Sequence, residues 1–106
     1  RTDEDGTATR AGSAVARLGD VAPNPFNPST VLSFDLPADQ GVSLVVYDLS
    51  GRVVRTLVHD EVRAMGRHEV RWDGIDDRGR AVASGVYLYR LLGSGVDLTK
   101  RMTLLE

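Results

Sequence analysis

The sequence predicts an all-β fold, a sandwich of two antiparallel sheets made from six or seven short strands. Three observations carry this expectation. From Thr30 onward, apolar residues alternate with polar ones at period two in segment after segment. Turn signals rich in Gly, Asp, Asn and Ser recur roughly every 8–14 residues. No segment sustains an i, i+3, i+4 apolar stripe over the ten or so residues a helix needs.

The elements follow in order. Residues 1–20, RTDEDGTATRAGSAVARLGD, are rich in Gly, Ala, Thr, Ser and charge and contain no aromatic. Alone, such a stretch cannot offset an ordering cost of roughly 1–2 kcal/mol per residue, so it reads as an extended tail or linker. Residues 21–29, VAPNPFNPS, hold three of the four prolines. Proline fixes φ and drives its predecessor toward extended backbone, which predicts a stiff, extended lead-in with Phe26 as an apolar anchor. In TVLSFDLP, Leu32, Phe34 and Leu36 share one face and Ser33 and Asp35 the other, the mark of a half-buried strand. VSLVVYDL (42–49) is almost continuously apolar and reads as a central strand buried on both faces. Ser50-Gly51 then turns the chain into RVVRTLV (52–58), a hairpin signature. In RHEVRW (67–72), Arg67, Glu69 and Arg71 face one way and Val70 and Trp72 the other. The turn-rich DGIDDRGR (73–80) precedes GVYLYRLL (85–92), a second strongly apolar strand. Gly93-Ser94-Gly95 turns that strand, and TKRMTLL (99–105) closes the chain. The folding unit is placed at 21–106, with Trp72 between the sheets and Phe34, Tyr87, Gly51 and Gly85 as further structural positions. No internal repeat is visible at any period.

Composition narrows the function. The 106 residues suit one domain, able to bury about two-thirds of its unfolded surface. Lys and Arg number 13 against 15 Asp and Glu, a net charge of −2, which gives no general electrostatic claim on nucleic acid or an acidic membrane. No apolar run approaches the roughly 18 residues of a membrane span. The absence of cysteine removes disulfides, thiolate nucleophiles and thiolate zinc sites together. A start at Arg1 rather than Met reads as a processed product or an excised piece. The one Asn-x-Ser match, at Asn27, is blocked by Pro28.

The side chains that could carry chemistry are few. His59 and His68 sit in polar contexts without a second histidine nearby and read as solvated. No serine lies in a nucleophile elbow, and Gly93-Ser94-Gly95 has neither the Lys nor the helix of a phosphate loop. Asp73, Asp76 and Asp77 could offer oxygens to Ca²⁺, but their spacing is not that of an EF-hand and no bidentate Glu follows. The competing reading gives these carboxylates side-chain-to-backbone turn bonds. The arginines between Arg52 and Arg80 are interleaved with acids, a mixed-sign solvated face rather than a nucleic-acid stripe. Tyr47, Tyr87 and Tyr89 lie in apolar strands and read as sheet residues. The expectation is no catalytic residue, no metal and no cofactor.

Several motifs stand in a fixed order: Pro23-Asn24-Pro25-Phe26-Asn27-Pro28-Ser29-Thr30, then Val46-Tyr47-Asp48-Leu49-Ser50-Gly51-Arg52-Val53-Val54, then Trp72-Asp73-Gly74, Asp76-Asp77 and Gly79, then Ala83-Ser84-Gly85-Val86-Tyr87-Leu88-Tyr89, and Lys100-Arg101-Met102-Thr103-Leu104-Leu105. This order resembles the Ig-like domain of the flagellar hook-capping protein family, and equally the type A C-terminal sorting domain of type IX secretion substrates. The resemblance covers 21–106 and implies a seven-stranded Ig-like sandwich in an exported bacterial protein, extracellular or at the cell surface, without enzymatic activity. It makes the 48–52 turn and the last strand, with Lys100, Arg101, Met102 and Leu104, candidates for partner recognition.

Physical reasoning adds a second route to partners. Sheet edges leave unpaired N–H and C=O groups that an extended segment can complete. Residues 7–18 reach about 40 Å when extended, and Thr7, Ala14, Ala16 and Leu18 are the candidate contacts of an inter-subunit strand. Repeated head to tail, such contacts build an open filament or tube. The expected partners are proteins, either further copies of the chain or an outer-membrane secretion or attachment machine. The alternative role is an address domain directing a larger cargo through type IX secretion.

Overall fold

Where the sequence alternates, strands form. The structure, a computed structural model, describes residues 15–105, and every regular element among them is a strand. Seven are present: β1 (Arg17–Leu18), β2 (Thr30–Leu36), β3 (Gln40–Tyr47), β4 (Val53–Arg63), β5 (Gly66–Trp72), β6 (Gly85–Gly93) and β7 (Val96–Leu104). They pair into two antiparallel sheets, ordered β1-β2-β5 and β4-β3-β6-β7, the Ig-like sandwich the motif order implied.

The registers define two poles. Thr30 pairs with Trp72, Tyr47 with Val53 and Gly85 with Leu104 at one, the loop pole. Leu36 pairs with Gly66, Gln40 with Arg63 and Gly93 with Val96 at the other. The inward-facing parity of each strand fills the space between the sheets: Leu32, Phe34 and Leu36 from β2, Val42, Leu44 and Val46 from β3, and Tyr87, Tyr89 and Leu91 from β6. Trp72 is buried at the loop pole, its ring 5.7 Å from Phe26 and 5.6 Å edge-on from Tyr87. Its Nε1–H donates to the Ile75 carbonyl at 2.8 Å, so the residue that fills the core also fixes the turn after β5.

Three expectations change. The sandwich reaches back past residue 21: Arg17 and Leu18 pair with Asp35 and Phe34, and Leu18 is 7% exposed in the core. Buried Leu18, with Ala16 partly packed beside it, and the edge of β2 order this stretch, with Tyr89 and Lys100 holding the residues that follow. The proline segment bends rather than running straight. Its peptide bonds before Pro23, Pro25 and Pro28 are cis, and Phe26 is buried beside Leu104 in a parallel bridge. β3 is central in its sheet, and its outer face is only partly buried: Val45 is 8% exposed, while Ser43 and Tyr47 beside it are half-buried.

The edges are unequally protected. The end of β7 is closed by the proline segment, where Phe26 N–H donates to Thr103 O at 3.0 Å and Leu105 N–H to Phe26 O at 2.9 Å. The start of β4 is closed by Asp77, whose N–H donates to Val54 O and whose Oδ1 accepts from Thr56 N–H, both at 2.9 Å. Among the described residues, β5 has a sheet neighbour on one side only.

Candidate interaction site

Two five-residue loops at the loop pole share one sequence pattern and one geometry. Both read Asp-x-x-Gly-Arg: Asp48-Leu49-Ser50-Gly51-Arg52 between β3 and β4, and Asp76-Asp77-Arg78-Gly79-Arg80 between β5 and β6. In each, the Asp N–H donates to the Arg carbonyl (3.0 and 2.8 Å), and the Gly N–H donates to the Asp carbonyl (3.0 and 2.9 Å). Gly51 and Gly79 have φ of 90° and 80°, a region where a Cβ is strained. The Asp Oδ1 accepts the N–H of the third residue, Ser50 or Arg78, at 2.9 Å, and of the closing arginine at 3.0 or 2.9 Å. Oδ2 faces the Nε of that arginine at 3.2 Å in the first loop and 3.5 Å in the second. The repeat escapes a search for long periods because it is a local turn device, not a duplicated unit.

The bonds set the electrostatics. Asp48 is held down at about 2, first by the Ser50 hydroxyl (2.6 Å) and then by the Arg52 N–H. Asp76 is also lowered, chiefly by the Arg80 N–H. Both carboxylates are thus committed within their own loops. The two loops flank a groove of about 440 Å³ with Val53, Val54 and Val82 in its wall and Arg52, Arg78 and Arg80 along it. Arg52 and Arg80 are 84% and 69% exposed, so their guanidinium groups remain open to solvent beyond the bonded Nε. Behind the second loop, Arg55 Nη1 donates to Asp76 O at 3.4 Å, while its buried Nε has no partner.

The three aspartates weighed as calcium ligands do not converge. Asp73 bonds Arg71 Nε at 2.6 Å, Asp76 closes its loop, and Asp77 caps the edge of β4. Among the described residues no group of three His, Cys, Asp or Glu side chains is arranged to hold a metal. No helix among them is long and apolar enough to cross a membrane.

The recognition residues divide. Met102 and Leu104 are 1% and 0% exposed, so their side chains belong to the core and not to a partner surface, a correction that the parity of β7 explains. Leu18 is likewise core, and Ala16 packs partly against it, so neither is free to enter a neighbouring chain. Arg101 is exposed, as is Lys100, which pairs with Asp20 at 2.8 Å and ties the segment after β1 to β7. Thr7 and Ala14 lie outside the described residues. His59 is exposed, but His68 is not the solvated residue expected: it faces inward on β5, stacks on Phe34 at 5.2 Å, and its Nε2 lies 2.7 Å from Ala64 O. On the outer face of the larger sheet, Arg90 grips Asp97 with two bonds of 2.7 Å, which lowers Asp97 and raises Arg90.

The Ig-like sandwich coincides with a known family. The family model of the FlgD Ig-like domain matches residues 22–94. The chain belongs to the FlgD Ig-like domain family. Two curated relatives, the basal-body rod modification protein FlgD of Salmonella typhimurium and of Salmonella typhi, are each 37% identical over 82 residues, which is 77% of this chain. The match spans 33% of those relatives, so this FlgD-type Ig domain corresponds to about a third of their length. Among solved structures, dimeric latent PorU from Porphyromonas gingivalis superposes with a TM-score of 0.70 and 26% identity, over 86% of this chain and 9% of PorU. FlgD from P. aeruginosa aligns with a TM-score of 0.57 and 24% identity, over 86% of this chain and 74% of that one, a likeness of fold. PorZ, a surface component of the type IX secretion system of Porphyromonas gingivalis, shares the fold at 0.57 and 22% identity, over 82% of this chain and 11% of PorZ. The fold therefore recurs both in FlgD and as a small part of much longer chains.

Proposed function

We propose that this chain is a non-enzymatic docking module of an exported bacterial surface or scaffold assembly, and that it works through protein contacts at its sheet edges and loop pole. The observation that carries the reading is the family match over 22–94, to an Ig domain whose curated relatives are basal-body rod modification proteins. The edges support it. The end of β7 and the start of β4 are sealed by the chain itself, whereas β5 offers one side with no strand neighbour among the described residues, flanked by Arg67, Glu69 and Arg71, which restricts pairing to a charge-matched partner. Self-assembly into an extracellular filament or tube is the fuller form of this role. Because residues 16–18 are engaged by their own domain, any N-terminal link between copies falls upstream of Val15. Sedimentation velocity and negative-stain microscopy over rising concentration test this. Reversible association into elongated particles is expected, and a monomer at every concentration up to about 1 mM overturns the assembly.

The likeness to 9% of PorU favours a second reading, an address domain carried by a larger exported protein. Fused behind a reporter in a bacterium with type IX secretion, the domain is then expected to bring the reporter to the cell surface. Reporter retained in the periplasm rejects this reading.

A further inference from the structure

The paired loops and the N-terminal sequence carry complementary chemistry, and the described chain begins at the pole opposite those loops. In Asp48 and Asp76 the carboxylates are saturated by donors of their own loops, and Asp77 Oδ1 accepts the Thr56 N–H, so the cationic groups left to meet a ligand along the groove are the guanidinium ends of Arg52, Arg78 and Arg80. Two of these arginines are tethered at Nε, which limits the side-chain entropy lost when a carboxylate binds. Planar guanidinium groups in a row suit an extended acidic peptide. The longest acidic run in the chain is Asp3-Glu4-Asp5.

The direction of β1 favours a neighbour's groove over the chain's own. Arg17 pairs with Asp35 and Leu18 with Phe34, so the chain enters β1 from the pole opposite the loops and runs toward them. The backbone upstream of Val15 therefore starts at the far end of the sandwich. The ten residues from Asp5 to Val15 span at most about 35 Å. We infer that Asp3-Glu4-Asp5 of one copy docks in the Arg52, Arg78 and Arg80 groove of the next, joining copies head to tail. The contact is heterologous and so propagates rather than closing on a pair. This rests on the assembly reading above and names its joint.

The test uses the full chain at low salt, followed by sedimentation velocity. Replacing Asp3→Lys, Glu4→Lys and Asp5→Lys together is expected to weaken association roughly tenfold, the sum of a few exposed ion pairs. Arg78→Glu, a loop residue whose side chain closes no turn, is expected to weaken it as well. Mixing the two variants should restore part of the loss. A synthetic peptide of residues 1–14 in excess should dissociate the unaltered chain without any change in its fold, whereas the same peptide with Lys at positions 3, 4 and 5 should not. If the chain associates but ignores tail reversal and peptide, the joint is wrong and the assembly reading stands. If the chain never associates, both fall. If the arginine Nε NMR signals shift on tail reversal in dilute monomer, the tail folds onto its own groove and the proposed neighbour contact is wrong.

Discussion

Trp72 illustrates what one residue can hold. Its indole packs between Phe26 and Tyr87 while its N–H fixes the turn at Ile75. Trp72→Ala is expected to cost about 3–5 kcal/mol, and thermal melts against the unaltered chain measure this. Asp48 makes a different prediction. Its carboxyl titrates near 2 when folded against 3.8 in the open chain, so the folded state favours the ionised form. The associated stability is complete above 3.8 and drains away as pH falls from 3.8 toward 2. Melts from pH 5 to pH 2 should show a loss in this window that is smaller in Asp48→Asn. Trp72 was legible because it falls on the inward parity of RHEVRW. The same parity puts His68 inside, and the parity of TKRMTLL puts Met102 and Leu104 inside with Leu98. These three were misread because polar character and motif resemblance were weighed ahead of alternation.

Among the elements, β1 shows where sequence reasoning loses its grip. Two residues are too few for a period, and the forces that order them come from distant partners. Leu18 enters the core, the Tyr89 hydroxyl donates to Gly19 O at 2.7 Å, and Lys100 meets Asp20. Burial, with Asp20 nearby, pushes the Tyr89 phenol up to about 12, so it keeps its proton and remains a donor through neutral pH. Leu18→Ala should cost about 2–3 kcal/mol and Tyr89→Phe about 1 kcal/mol. Faster amide exchange at Gly19 in both variants would show that β1 itself has loosened. The paired loops were only half legible. Resemblance drew attention to 48–52, and the Asp-x-x-Gly-Arg pattern recurs at 76–80, but the hydrogen bonding the two loops share comes from the structure. Gly51→Ala and Gly79→Ala should therefore cost similar amounts, about 1–2 kcal/mol each, in chemical denaturation.

For the whole molecule, the sandwich class followed from alternation and turn spacing, since two half-apolar sheets have few ways to hide their inner faces. Which edges remain open did not follow. That depends on long-range closures such as Phe26 on Thr103 and Asp77 on Val54, which no local pattern encodes.

The described chain begins beside one pole and ends at the other. A pull applied between residues 15 and 105 runs lengthwise along β1 and β7, with the inter-strand bonds lying across the line of force. These bonds must then break together rather than one by one, as they would if peeled from an end. Such a linkage resists traction applied between the two described ends of the chain.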